Sequence, residues 1–336
     1  MQVLLCFVVF YTKGVFMAAD SISSELFSPI TLEDKELFQS ILTSCSLYEN
    51  LAASEISFES LFCWGAFDKP LKCVLDEGIV IYYKHEFGND HVFYPPIVKK
   101  PEYLVPVMMK IVTYCRKNNM KVHLERMTTN MAELAVKHIE CKQCRVLERR
   151  GDFEYLYNPE DLITLKGKKL KAKRNFVNGF IERYNYEFVS YEPSMKEEVM
   201  SLVSKWGNTH DELDAAGEYL AIERSLDNLE ALNMFCDVLK VDGEIIAFEI
   251  GFVNQANVGV VMFEKANTNY RGSFQAVNNF FAKKHFENCK FVNRQEDLGI
   301  EGLREAKMSY HPAAFSEKYI YTDKPEMINS LPAVQI

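Results

Sequence analysis

Apolar and polar positions along the chain alternate between a helical period and a strand period. After Thr31 the apolar residues fall at helical spacing, and Asp34 stands three residues on, where a capping box places an acidic side chain. Three short apolar runs at 71–75, 79–84 and 91–94 are separated by turn residues, which predicts strands. Further elements predicted in this half are helices at 57–64, 102–117 and 131–140, a strand at 121–125 and extended chain at 145–156.

The same order of elements returns in the second half. Strands are predicted on both sides of Asp242-Gly243, a two-residue hairpin signal, and apolar side chains alternate from Ile246 to Phe252 in the second of them. The predicted elements are strands at 186–191, 234–241, 246–252, 258–265, 291–292 and 315–321, helices at 193–206, 213–226 and 301–309, and a further helix that begins at Arg271. Two halves with one element order predict a duplicated domain.

The order βααβββαβαβ resembles that of the GNAT acyltransferases. We therefore predict an α+β fold of two tandem GNAT-like domains, each a mixed and mainly antiparallel sheet flanked by helices. The predicted parts are an N-terminal extension at 1–28, a first domain at 29–158, a basic linker helix at 159–185, a second domain at 186–323 and a tail at 324–336.

Composition limits the classes of function. A chain of 336 residues with 48% hydrophobic residues is long enough for two packed domains. A net charge of −9 argues against a general nucleic-acid coat, so no DNA partner is expected, while a local basic site stays open. The nine cysteines are scattered, which predicts a reducing, cytoplasmic compartment. Cys141 and Cys144, with His138 before them, lack a second ligand pair, so no metal site is predicted.

The N-terminal extension contains an apolar run at residues 3–11. This run is too short to span a membrane, which takes roughly 20 residues, and no basic segment precedes it. It is either a short signal peptide or the result of a start placed too early, with Met17 as the true start. No integral membrane segment is predicted.

An anion site is predicted where an apolar strand ends and a helix begins, in the stretch 260–278. The first N–H groups of a helix lack intrahelical partners and attract phosphate. We expect Arg271, Gly272 and Gln275 to line this site. Six lysine and arginine residues within 166–175, including Lys173 and Arg174, would face the same phosphates or else form a solvated helix face.

Glu264 is the predicted general base. It ends a buried strand beside this turn, where a carboxylate can take a proton from an acceptor. The alternative is a structural ion pair with Lys265 or Arg271. Asn278, two turns into the helix, would orient substrate or satisfy a strand edge.

A polar turn follows the strand at 291–292 and is expected to face the same volume, because strand ends converge at such a cleft. Substrate contact and buried ion pairs that hold the loops would use the same side chains. The candidate substrate-binding residues, besides Asn278, are Asn293, Arg294, Glu296, Asp297, Arg304 and Lys307.

Three segments resemble a bacterial family related to the C-terminal domain of phosphatidylglycerol lysyltransferases. They are DLITLKGKKLKAKRNFVNGF (161–180), FEKANTNYRGSFQAVNNFFA (263–282) and VNRQEDLGIEGLREAKMSYHP (292–312). The resemblance implies tandem GNAT-like domains and acyl or aminoacyl transfer, with no permanently bound cofactor and either aminoacyl-tRNA or acyl-CoA as co-substrate.

The acyl donor and the acceptor are left open by this resemblance. Phe274 stands where the common R-G-x-G-x-[GA] turn has its second glycine, which disfavours acetyl-CoA in the usual pose and favours tRNA as partner. The acceptor would be a small molecule, a peptide or a lipid head group. The sequence has no predicted membrane domain, which argues against a lipid acceptor. The alternatives are an acyl-CoA-dependent N-acyltransferase and a non-catalytic anion-binding protein of the same fold.

Overall fold

A computed structural model describes residues 21–84, 91–207 and 212–334. The predictions made for the apolar run at 3–11, for Met17 and for a turn at 88–90 lie outside these residues. The helices within them are α1 (Lys35–Ser44), α2 (Phe58–Asp68), α3 (Leu104–Lys117), α4 (Thr129–His138), α5 (Pro159–Thr164), α6 (Lys171–Arg183), α7 (Lys196–Gly207), α8 (Glu212–Asp227), α9 (Leu229–Leu232), α10 (Ser273–His285), α11 (Glu301–Met308) and α12 (Pro325–Ser330).

The strands of the described chain form two sheets. They are β1 (Ser28–Pro29), β2 (Leu71–Leu75), β3 (Gly78–Lys84), β4 (His91–Phe93), β5 (Ile97–Val98), β6 (His123–Met127), β7 (Arg145–Glu148), β8 (Glu154–Tyr157), β9 (Tyr186–Ser190), β10 (Phe235–Val241), β11 (Glu244–Val253), β12 (Val258–Ala266), β13 (Phe291–Asn293), β14 (Ala314–Ser316) and β15 (Tyr319–Thr322).

The two sheets have the same strand order and directions. The first sheet is ordered β1-β2-β3-β4-β6-β15-β7, with β5 paired to β3, and the second β9-β10-β11-β12-β13-β8-β14. In each sheet an antiparallel meander is followed by a single parallel pair, β4 with β6 or β12 with β13. Antiparallel pairs complete both sheets. The predicted α+β class with two GNAT-like units is confirmed by this arrangement.

Each half of the chain contributes one strand to the sheet of the other half. β8 leaves β7 and lies between β13 and β14, and β15 leaves β14 and lies between β6 and β7. The predictions of a single strand at 315–321 and of one extended segment at 145–156 are therefore wrong. Each of these segments is two strands, because the chain crosses between the sheets partway along it.

Two predictions that rest on residues close together in the sequence are confirmed. The Thr31 backbone N–H donates to the Asp34 carboxylate at 2.8 Å in the predicted capping box. Asp242 and Gly243 both have positive φ, as a type I′ turn requires. The linker differs: the single helix predicted over 159–185 is α5 and α6, separated at Leu165 (φ 49°) and Gly167 (φ 87°).

Lys318, between β14 and β15, stabilises the crossing. Its side chain is fully buried, and its ammonium lies 2.6 Å from the Glu55 carboxylate and 2.8 Å from that of Glu154 in β8. The Ser54 N–H also donates to Glu154, at 3.1 Å. A buried charge is tolerated only when it is paired and hydrogen-bonded, so this lysine and two carboxylates fix how the exchanged strands pass each other.

We predict that Lys318→Met strongly destabilises the protein, because it leaves two buried carboxylates without a counter-ion. The expected loss in the free energy of unfolding is about 3–5 kcal/mol, measured by urea denaturation. Lys117→Met, at the exposed end of α3, is the matched control and should change little. A Lys318→Met protein as stable as this control would show that the buried ions do not hold the crossing.

Candidate functional site

The candidate site lies where the parallel strands of the second sheet separate. β12 pairs with β13 only as far as Val260, opposite Asn293, whereas its pairing with β11 continues to Ala266. Glu264 lies on this end of β12, beyond its pairing with β13, and Arg294 directly follows β13. A bulge in the β11–β12 pairing lies just before Glu264, between Ile250 and Gly251. Bulges of this kind bend a strand and re-aim its side chains.

Glu264 and Arg294 form the centre of a polar cluster. Arg294 Nη2 lies 2.7 Å from Glu264 Oε2, and both side chains are nearly buried. Asn278, on α10, lies with its amide nitrogen 3.5 Å from the same oxygen. The partner of Glu264 is thus Arg294 rather than Lys265 or Arg271, the two proposed from sequence. Lys265 instead lies 2.8 Å from Glu218.

Arg294 retains donors that the described chain does not use. Its Nε and Nη1 atoms are buried and have no hydrogen-bond partner there. Leaving buried donors unpaired is costly, so a ligand oxygen would be stabilised at this position. Burial lowers the pKa of Arg294, but the charge of Glu264 holds it above its usual range, so the guanidinium stays charged.

A basic residue of α6 reaches the same cluster. Lys173 Nζ lies 4.3 Å from the centre of the Tyr310 ring, and the Arg294 guanidinium lies 4.7 Å from it. Burial, with the nearby charge of Arg294, lowers the pKa of Lys173. Burial also raises the pKa of Tyr310 to about 12, so its ring stays neutral between the two cations.

Lys307, on α11, is the third cation at this site. Its ammonium donates to the backbone carbonyl of Arg294. Burial and, after it, the charge of Arg294 lower the pKa of Lys307 to about 8. A lysine with such a pKa is partly neutral near physiological pH and can exchange a proton there.

Glu249 belongs to this cluster and was not predicted. It is the cross-strand partner of Glu264, it is fully buried, and neither of its carboxylate oxygens has a hydrogen-bond partner in the described chain. Burial, followed by the charge of Glu264, raises its pKa well above the usual range. The available signal was an acidic residue in the middle of the apolar strand EIIAFEIGFV (244–253).

Other predicted substrate contacts form ion pairs that hold the loops. Glu296 lies 2.9 Å from Arg126 of β6. Asp297 is fully buried and accepts two hydrogen bonds from the Arg304 guanidinium, at 2.8 and 2.9 Å. The Asn293 amide donates to a backbone carbonyl at 2.7 Å. These four side chains match the alternative of structural pairing.

The predicted anion turn at Gly272 is occupied by α6. Gly272 has φ +93°, and an added Cβ would lie 2.6 Å from the Phe176 carbonyl oxygen. Gly272, predicted to line the anion site, is thus in close contact with the backbone of α6. Arg174 donates to the Leu165 carbonyl at the end of α5. Gln275 lies half-buried in the first turn of α10.

A groove runs along the outer face of α6. It has a volume of about 340 Å³, and the exposed Arg183 and Arg271 lie on it. The Arg271 guanidinium lies 5.5 Å from the centre of the Phe176 ring. The other residues that line the groove are Ala172, Asn175 and Gly179. Lys166, Lys168 and Lys169, which precede α6, and Lys171, its first residue, are exposed as well. Cations on a helix beside an open groove suit a ligand with several phosphates.

Two further sequence predictions concern metal ligands and cysteines. Among the described residues no group of His, Cys, Asp and Glu is arranged to hold a metal ion. The cysteine pattern predicted a reducing compartment, yet Cys141 and Cys144 are joined in a disulfide.

Comparison with known proteins identifies the family. A family model described as phosphatidylglycerol lysyltransferase, C-terminal, matches residues 50–322. The chain belongs to this family. A structure of a conserved protein of unknown function from Bacteroides thetaiotaomicron is 30% identical, with a TM-score of 0.78, over 89% of this chain and 99% of that one.

More distant relatives of this family member share the fold. The structure of L-PGS from Bacillus licheniformis is 15% identical with a TM-score of 0.63, over 90% of this chain and 96% of that one. A tandem GNAT protein from the clavulanic acid biosynthesis pathway (TM-score 0.50, 10% identical, 89% and 98% covered) and FemX (0.56, 9%, 90% and 99%) are similar to it in fold.

A curated relative and the membrane question complete the comparison. An uncharacterised protein of Mycoplasmoides gallisepticum is 26% identical over 170 residues, 49% of this chain and 54% of that protein. The match thus spans about half the length of that relative. Within the described residues no helix combines the length and apolarity needed to cross a bilayer.

We predict that Gly272→Ala lowers the free energy of unfolding by about 1–3 kcal/mol, because alanine is strained at φ +93° and its Cβ meets α6. The matched control is Gly179→Ala within α6. An added Cβ there has no neighbour within 4 Å, so this change should be neutral or stabilise by about 0.5–1 kcal/mol. Thermal denaturation would measure both, and equal effects would contradict the role given to Gly272.

Proposed function

We propose that this family member transfers an aminoacyl group from aminoacyl-tRNA to an amine or hydroxyl acceptor in the cytoplasm. The observation that carries the proposal is the position of Lys173. It belongs to the basic helix α6 and lies against the same Tyr310 ring as Arg294. A phosphate-rich donor held by α6 would therefore place its reactive end beside the Glu264–Arg294 pair.

The donor side favours tRNA over acyl-CoA. In the usual acyl-CoA pose a pyrophosphate lies on the turn before the central helix. Here the Phe176 carbonyl is 2.6 Å from where a Cβ of Gly272 would be, and Phe274 packs on the neighbouring core. The exposed cations lie instead along α6 and its approach. Several phosphates of a nucleic-acid backbone match such a spread of charge better than one pyrophosphate does.

The cluster supplies the groups that acyl transfer needs. Glu264 accepts the proton of the acceptor as its nitrogen or oxygen attacks the ester carbonyl. The free N–H groups of Arg294 stabilise the oxyanion as it forms. The tRNA ribose oxygen then leaves and takes up a proton, for which Lys307 is a donor with a suitable pKa. We propose that the acceptor is a small molecule, a peptide or a lipid head group.

We predict that Glu264→Gln lowers the rate of aminoacyl transfer by about 10²–10⁴-fold, because the amide cannot accept a proton. Purified protein would be incubated with charged tRNA and candidate acceptors, and deacylation of the tRNA followed by mass spectrometry. Glu244→Gln, on the exposed end of β11, is the matched control and should retain full activity. If Glu264→Gln lowers the melting temperature strongly as well as the activity, the Glu264–Arg294 pair is structural instead.

Acetyl-CoA in place of charged tRNA provides the opposing test. Turnover with acetyl-CoA alone would favour an acyl-CoA-dependent N-acyltransferase. No turnover with either donor, together with retained tRNA binding, would favour an anion-binding protein of the same fold.

We predict that replacing Lys168, Lys169 and Lys171 together by alanine weakens tRNA binding about tenfold at low salt and reduces its salt dependence, because phosphate contacts are lost. The control replaces three exposed lysines on the first half, Lys99, Lys117 and Lys121. Both proteins carry the same net charge, so equal loss of binding in the two would show that overall charge, not α6, attracts the tRNA.

A further inference from the structure

A row of three carboxylates crosses the second sheet. Asp237 in β10 is the register partner of Glu249 in β11, and Glu249 is the register partner of Glu264 in β12. Directly opposed residues of antiparallel strands share a face of the sheet, with Cβ atoms about 4.5–5.5 Å apart. The row therefore begins at the candidate site and runs beneath α10 towards the edge strand β9.

Helix α10 covers this row along its length. Asn278 contacts Glu264 at one end, and Lys284 and His285 contact Asp237 at the other. Phe281, between them on the helix, is fully buried. The middle of the row is therefore closed to water, whereas Lys284, at the far end, is more than one-third exposed.

The three carboxylates differ in their partners. Glu264 has Arg294, and Asp237 has both Lys284 and His285. Glu249, although fully buried, has no hydrogen-bond partner on either oxygen within the described chain. An ionised carboxylate without partners is very costly in such a place, so Glu249 is the member of the row that holds a proton.

We propose that Glu249 is a positioning residue that keeps a proton next to Glu264 and exchanges it with the Asp237–His285 pair, so that the row conducts protons between the candidate site and the surface. This inference rests on the proposed function. In the resting state Glu264 and Asp237 are carboxylates and Glu249 is the neutral acid.

The transfer balances as follows for an ammonium acceptor. Amide formation from a tRNA ester releases the tRNA hydroxyl and one proton. Glu264 takes that proton, Glu249 passes its own to the Asp237–His285 pair, and Glu264 returns the site to its resting state by giving its proton to Glu249. With a hydroxyl acceptor no net proton is released, and the row only holds the charge state of Glu264.

The protonation of Glu249 is set by groups on every element packed around it. The Glu264 and Asp237 charges raise its pKa in addition to burial, whereas Arg294 and the Asn278 amide lower it. Lys284 and His285 act through Asp237, whose pKa they lower against the effect of its burial. Removing either neighbouring carboxylate should therefore lower the pKa of Glu249.

The first test reads the proton directly and needs no activity. Carbon-13 carboxyl NMR of glutamate-labelled protein should show a resonance that is protonated at neutral pH and absent in Glu249→Gln, separate from that of Glu55, whose pKa is raised by burial to about 7. Its midpoint should fall in Asp237→Asn and in Glu264→Gln. An ionised Glu249 at neutral pH, or a midpoint unmoved by both variants, would overturn the proposal even if the protein transfers no aminoacyl group.

The pH dependence of the free energy of unfolding provides a second test, which also shows whether Glu249→Gln folds. A buried acid whose folded-state pKa is raised stabilises the protein at low pH, and this contribution is lost as the pH rises towards that pKa. The contribution of Glu249 to stability should thus fall as the pH rises above about 4.3, the pKa of an unperturbed glutamate, and Glu249→Gln should remove this contribution to the slope without lowering stability at neutral pH. The matched control is Glu187→Gln, exposed on β9, which should leave the slope unchanged.

The third test separates proton exchange from a structural role. Glu249→Gln keeps the size of the side chain but cannot pass a proton, so kcat should fall about tenfold or more with KM unchanged. Asp237→Asn should lower kcat in the same way and shift the pH profile, while Glu187→Gln should leave both unchanged. Wild-type kcat in Glu249→Gln would reject the proton path.

Discussion

The reciprocal exchange of one strand between the two sheets is the constraint on which the rest of the structure depends. The backbone of Tyr155 in β8 donates to the Gln295 carbonyl and accepts from the Arg294 N–H, at 3.2 and 3.1 Å. A strand from the first half thus fixes the loop that carries Arg294. Lys318 fixes the other crossing. The first half therefore supports the candidate site in the second half, and neither sheet is complete without both.

The polar loop after β13 combines support and chemistry within a few residues. Asp297 and Glu296 are held by arginines and position the loop. Arg294, one of their neighbours, pairs with Glu264, and two of its nitrogen atoms have no hydrogen-bond partner among the described residues. The ion pairs of Glu296 and Asp297 hold the loop that carries Arg294, and so hold Arg294 in place. Such pre-organisation is what an oxyanion site requires.

Helix α6 packs against the turn before α10, where the sequence predicted an anion site. Gly272 is needed for this close packing, and the cations of α6 face outwards or, at Lys173, towards Tyr310. The α10 helix on which α6 packs also covers the carboxylate row. One helix pair therefore connects the groove along α6, the Glu264 cluster and the proposed proton path.

The sequence alone determined features that depend on neighbouring residues: the Thr31 capping box, the Asp242-Gly243 turn and the strands of both meanders. It also predicted that Glu264, Arg294 and Lys307 lie near one another, as they do. Their signals are local periods and turn residues, and the resemblance supplied the family. Only the tertiary structure decided that β8 and β15 change sheets, that Arg304 and Asp297 pair together, and that Glu249 lies beside Glu264 without a hydrogen-bond partner in the described part of the chain. Strand pairing and burial arise between residues far apart in the chain, so no local pattern records them.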